Sequence, residues 1–168
     1  MLGDKSLFSE LSGFVIYEPK LLREYLRRNE LRNNNILEYF TETNHGDTIT
    51  KNGIVIPMMG MENDYYNFSL VENMNDRIIL DNKFSSNGLI MQIVSGEINI
   101  IGIGYFTNIE RLFTINKNKI LKFCIKNGWY EVEITGGIIE DELFYELLFT
   151  KMEVKPKFNG DINFLYKI

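Results

Sequence analysis

Asn127-Gly-Trp-Tyr-Glu-Val-Glu-Ile134 reads as a tight turn running into a strand. Asn-Gly supplies the two positive-φ residues of a type I′ turn, and the residues after it alternate apolar and polar with the period of a half-buried strand. The same grammar recurs at Asn52-Gly53 before Ile54-Val-Ile56, and at Asn87-Gly88 before Leu89-Ile-Met-Gln-Ile-Val94. These signals predict β-hairpins. Ser95-Gly96 adds a turn between Leu89–Val94 and Ile98–Ile103, and Gly136-Gly137 reads as another. Gly13–Tyr17, Asp64–Val71, Arg77–Phe84 and Phe144–Val154 are further strands, and Asp161–Tyr166 is placed to close the sheet. About nine to eleven short strands spaced by turns predict a mainly β, α+β chain: an antiparallel sandwich or a partly open barrel.

One early helix interrupts this pattern, at about residues 19–29. Pro19 suits the first helical position, and Leu21, Leu22, Tyr25 and Leu26 form one apolar stripe. A second helical turn is read at Ile36–Phe40, after a loop at Asn33-Asn34-Asn35. No linker composition divides the 168 residues, so a single domain spanning 1–168 is expected. With 45% hydrophobic and 13% aromatic residues, disorder is excluded. Alanine is absent while Ile occurs 22 times and Asn 19 times, which tilts the chain toward strand.

The chain carries 18 basic and 23 acidic residues, a net charge of -5. That balance argues against a nucleic-acid partner, which needs a basic face to displace phosphate counterions. The densest basic run, Lys20 to Arg32, interleaves with Glu24 and Glu30 and reads as a solvated helix face. Neither a signal-peptide pattern nor an apolar run of membrane-spanning length is visible, so no membrane contact and a cytoplasmic location are expected. Cys124, alone in Ile120-Leu-Lys-Phe-Cys-Ile125, is placed by alternation at a buried strand position.

Chemistry is hard to find. His45 is the one histidine, and with Glu42 and Asp47 nearby it offers a general base held by a carboxylate; the competing reading is a polar loop with Asn44, Gly46 and Asp47 as turn residues. One His and one Cys do not make a zinc site, and no nucleophile elbow, dinucleotide loop or Walker loop is present. Glu131 and Glu133 share a strand face about 7 Å apart, a separation that also fits outward polar positions of an amphipathic strand. No cofactor, metal or catalytic residue is assigned.

Binding residues are easier to nominate. Met58-Met-Gly-Met61 leads into Glu62-Asn-Asp-Tyr-Tyr66, combining thioethers, carboxylates and aromatics. Trp129 stands beside an Asn-Gly turn, and Glu140, Asp141 and Glu142 make a second acidic tip. Glu62, Asp64, Tyr65, Tyr66, Trp129, Glu140, Asp141 and Glu142 are therefore the candidate partner-binding set. By period two, one of Tyr65 and Tyr66 must point inward, and likewise one of Trp129 and Tyr130.

Gly13-Phe-Val-Ile-Tyr-Glu-Pro-Lys-Leu-Leu22, Gly46-Asp-Thr-Ile-Thr-Lys-Asn-Gly-Ile-Val-Ile-Pro57 and Asn127–Ile134 together resemble the strand–helix opening and hairpin-rich remainder of small bacterial immunity proteins. That resemblance implies a cytoplasmic, non-enzymatic antidote that binds a toxin domain and blocks its active site. Two alternatives stay open: a β-protein binding a sugar or nucleotide, or hydrolysing a substrate, around His45 and Asp47; and a phage- or host-encoded inhibitor of another protein.

Overall fold

A computed structural model describes residues 5–31, 35–78 and 81–168. Among them are nine strands: β1 (Ser6–Phe8), β2 (Gly13–Tyr17), β3 (Val55–Met59), β4 (Tyr65–Val71), β5 (Asp81–Ile93), β6 (Glu97–Gly102), β7 (Ile120–Cys124), β8 (Gly128–Ile139) and β9 (Glu142–Met152). Four helices accompany them: α1 (Pro19–Arg28), α2 (Ile36–Glu42), α3 (His45–Lys51) and α4 (Ile109–Phe113). The strands form a five-stranded sheet, ordered β1-β4-β9-β8-β5, and a four-stranded sheet, ordered β3-β2-β6-β7. Every ladder between neighbours is antiparallel except β4 with β9. The chain is thus mostly β, α+β, with two sheets that do not close into a barrel.

β2 shows why the layers form. All five of its residues are buried, as expected of a strand covered on both faces. Phe14 and Ile16 point into the core between the sheets, with Met58, Ile100, Val132, Tyr145 and Leu147. Val15 and Tyr17 point the other way, into a second core where Leu22 and Leu26 of α1, Ile36 of α2 and Ile49 of α3 cover the four-stranded sheet. Each fully buried aliphatic or aromatic side chain contributes about 1.5–3 kcal/mol, which makes these two cores the main source of stability.

The connections differ from the Asn-Gly reading. Asn52 and Gly53 end helix α3: Gly53 takes φ +70° and its N–H donates to Thr50 O, the C-cap use of the same conformational freedom. Asn87 and Gly88 lie within β5, where the register with β8 slips between Ser86 and Leu89. The bulge holds the C-terminal segment, because Asn159 N–H donates to Gly88 O at 2.9 Å and a Cβ at Gly88 would sit 2.7 Å from the Asn159 carbonyl carbon. Asn127-Gly128 and Ser95-Gly96 carry the chain from one sheet to the other. Gly136-Gly137 sits inside β8 with the Phe84 ring against Gly136. The tight hairpin is β8–β9 instead, where Ile139 pairs with Glu142 and the two loop residues, Glu140 and Asp141, take φ 48° and 65°.

Other elements also depart from the sequence reading. β1 had no periodicity signal, being three residues long. Cys124 is exposed, because Phe123 and Ile125 take the inward phase of the strand. Asp161–Tyr166 runs beside β3 with one parallel bridge, Met59 to Leu165, and buries Tyr166 without forming a strand. Asn33 and Asn34 lie outside the described residues, while Asn35 caps α2 by accepting from Glu38 N–H at 3.0 Å.

Two buried carboxylates fasten connecting segments to the elements they cross. Glu18, fully buried, accepts N–H bonds from Leu21 at 2.6 Å, Val94 at 3.1 Å and Ser95 at 2.6 Å, tying the start of α1 to the β5–β6 corner. On the outer face of the five-stranded sheet, Arg77 donates to Glu146 Oε1 at 2.7 Å, Glu133 Oε1 at 3.0 Å and Thr135 Oγ1 at 2.6 Å. Burial lowers the Arg77 pKa, but the bonds to Glu146 and Glu133 more than offset it and the net direction is up.

Candidate interaction surface

The parallel β4–β9 register decides which candidate residues meet. Asn67 stands opposite Phe144. Two residues earlier on each strand, Tyr65 and Glu142 are level, at one end of the five-stranded sheet. Asn67 Nδ2 donates to Glu142 Oε2 at 3.0 Å, joining the strands there. The Glu140-Asp141 turn precedes Glu142, and the Glu62–Asp64 loop precedes Tyr65, so both acidic tips emerge at this end. Adjacent strands are about 4.8 Å apart, which keeps the two tips within side-chain reach of a single partner. Glu140 and Asp141 make no ion pair among the described residues, and Glu62 meets only exposed Lys167, at 3.1 Å.

A hydrogen-bonded frame holds the loop. Ser9, buried, donates through Oγ to Glu62 O at 2.7 Å and accepts from Asp64 N–H at 3.1 Å. Asn63 Oδ1 accepts from Ser12 N–H at 2.8 Å, and Asp64 Oδ1 accepts from Tyr65 N–H at 2.7 Å. The tyrosine pair divides as period two requires. Tyr66 is buried, its hydroxyl donating to Glu62 O at 3.0 Å and its pKa raised by burial, then by the Asp64 and Glu62 charges. It supports the surface from beneath and does not line it. Tyr65 is 62% exposed and stands edge-on to Phe8 at 5.2 Å.

Residues that the sequence did not nominate complete this end. Leu11 is 60% exposed with φ +54°, and Ser12 follows at φ +56°. Two successive non-glycine residues in the left-handed region are strained, and here the strain holds an apolar side chain in solvent. Met59 and Leu165 add exposed apolar surface next to them. Nothing in a local pattern marks Leu11, because its position follows from contacts of Ser9 and Ser12 more than fifty residues away in sequence.

The remaining candidates lie elsewhere. Trp129 starts β8, about 36 Å along the strand from Glu140 at 3.3 Å per residue. It covers the end of α3, where a Cβ on Gly53 would lie 2.9 Å from the indole, and the Lys155 ammonium sits 5.4 Å from its ring. Among the sequence-paired acids, Glu131 is exposed and Glu133 belongs to the Arg77 cluster.

His45 begins α3 and does not sit in a loop. Its Nδ1 is 2.5 Å from the Tyr25 hydroxyl, and its ring tilts against Tyr39 at 4.9 Å. Asp47 pairs with Lys51 along the same helix, at 3.7 Å. The histidine and that carboxylate thus have different partners, and no contact between them orients the imidazole. No group of three or more His, Cys, Asp or Glu residues suited to a metal ion occurs among the described residues, and none of their helices is long and apolar enough to cross a membrane.

No protein-family model matches the chain, and no curated protein matches it. Among solved structures, the fold is similar to that of ComJ from Bacillus subtilis, an inhibitor of the DNA-degrading activity of NucA. The TM-score is 0.52 at 11% sequence identity, covering 88% of this chain and 94% of ComJ. At that identity the likeness is one of fold.

Proposed function

We propose that this chain is a non-catalytic inhibitor of the immunity-protein type, which binds a toxin enzyme in the bacterial cytoplasm through the acidic end of its five-stranded sheet. The observation that carries this reading is the meeting of Glu62 and Asp64 with Glu140, Asp141 and Glu142, around an exposed Tyr65 and Leu11. Carboxylates around a rigid aromatic and an aliphatic anchor suit the substrate cleft of a nuclease, which is basic because it must hold phosphates. The fold likeness to a nuclease inhibitor supports the same reading. Blocking requires no chemistry from the inhibitor, only a surface that fits and a field of opposite sign.

The test is co-purification with the toxin domain encoded beside this chain, followed by binding kinetics of the variant carrying Lys at Glu62, Asp64, Glu140, Asp141 and Glu142. Its association rate should fall by about tenfold or more at low salt, and the salt dependence should flatten. An unchanged association rate and affinity would remove the mechanism.

A further inference from the structure

The molecule is acidic overall, yet one cavity has a cationic rim. It lies at the Tyr17 end of β2, away from Leu11, and its volume of about 560 Å³ is that of a small-ligand site. Tyr17 on β2 and Asn99 on β6 line it, directly opposite each other in the ladder and both buried. Burial pushes the Tyr17 phenol up to about 12, with the neighbouring Asn99 side chain acting weakly in the opposite direction, so the hydroxyl is neutral well beyond neutral pH. Asn99 Oδ1 is buried with no hydrogen-bond partner among the described residues. A buried acceptor left unpaired is destabilising until a donor reaches it.

Leu112, Ile115 and Ile120 give the cavity apolar walls. Arg23 of α1 lies over the Phe113 ring at 4.7 Å, and Lys117 and Lys122 complete the rim. Glu97 is the acidic lining residue and pairs with Lys122 at 3.7 Å, so three cations against one carboxylate leave the rim at +2. A second groove shares Pro19, Arg23 and Glu97 and continues past Lys20 and Arg27.

We propose that this cavity binds a small anion with a planar amide-like edge, of the nucleoside monophosphate class. The edge meets the Tyr17 hydroxyl as donor and Asn99 Oδ1 as acceptor, the ring lies along the apolar wall, and the phosphate is held by Arg23 and Lys117. The cavity and the acidic surface are at opposite ends of β2, so this inference does not rest on the inhibitor reading.

Calorimetric titration of the full chain with each of the four common nucleoside 5′-monophosphates tests it, with the matching nucleosides and inorganic phosphate as separate arms. At least one monophosphate should bind about tenfold more tightly than its nucleoside or phosphate. Lys117→Ala and Arg23→Ala, both at exposed positions, should each weaken it by about tenfold. Tyr17→Phe, checked for folding by circular dichroism, should weaken the nucleotide and leave phosphate unaffected. No binding by any monophosphate overturns the proposal, as does affinity indifferent to Arg23 and Lys117. Equal affinity for phosphate alone overturns the recognition of the edge.

Discussion

Glu18 and Glu146 carry the same group as Glu62 and Asp64, in opposite circumstances. The first two are almost fully buried, at 0% and 1% exposure, with every oxygen bound by an N–H donor, all but the local Leu21 N–H coming from elements distant in sequence. The second two, with Glu140, Asp141 and Glu142, are exposed at one end of a sheet. A buried carboxylate is costly unless every oxygen is met, and once met it fixes the geometry around it. An exposed one is nearly neutral for folding and projects its field outward. The molecule thus uses one chemical group in two ways, and burial decides which.

Breaking this comparison has its largest effect at Glu18. Glu18→Ala leaves the Leu21, Val94 and Ser95 N–H groups without their acceptor and removes the cap of α1, so urea unfolding should show a loss of about 5 kcal/mol. Neutralising any one of the five exposed carboxylates should stay within about 0.5 kcal/mol by the same measurement. A comparable loss from an exposed position would end the distinction.

The next effect is at Arg77. Arg77→Ala leaves Glu146 buried beside Glu133 without a counter-charge and should cost about 3 kcal/mol. Replacing Arg77 and Glu146 together by Met should recover most of that, since an apolar pair of similar volume has no charge to desolvate. A double variant as unstable as the single one would mean that the cluster acts through packing alone.

How far the sequence reveals these roles depends on the range of the contacts. β2 and α1 were legible because period, proline and apolar stripe are local. The hairpin reading misassigned Asn52-Gly53, Asn87-Gly88 and Asn127-Gly128 for a physical reason: Asn-Gly states that the backbone takes positive φ, and helix caps, bulges and sheet-to-sheet corners need that as much as hairpins do. The one tight hairpin among the described residues carries Glu140-Asp141, because long β8–β9 pairing holds the turn against local preference. The acidic candidates were legible one loop at a time. Their meeting was not, since it rests on a parallel register between strands about 75 residues apart. Glu18 was open to a better reading: a Glu directly before a helix-opening proline stands at the N-cap.

The smallest effect tests whether the exposed end is shaped for binding. Leu11 and Ser12 occupy the left-handed region, and a leucine there is worse than a glycine by about 1 kcal/mol. Leu11 is 60% exposed, so little burial is lost on its removal. Leu11→Gly should therefore stabilise the protein by about 1 kcal/mol in urea unfolding while weakening binding of the proposed toxin partner by about tenfold, as the loss of an apolar anchor does. A residue kept for the fold would give the opposite sign in the first measurement. A residue of no consequence would leave the second unchanged. Only a side chain held out for a partner loses affinity as the chain gains stability, which is the trade-off expected of a strained functional site.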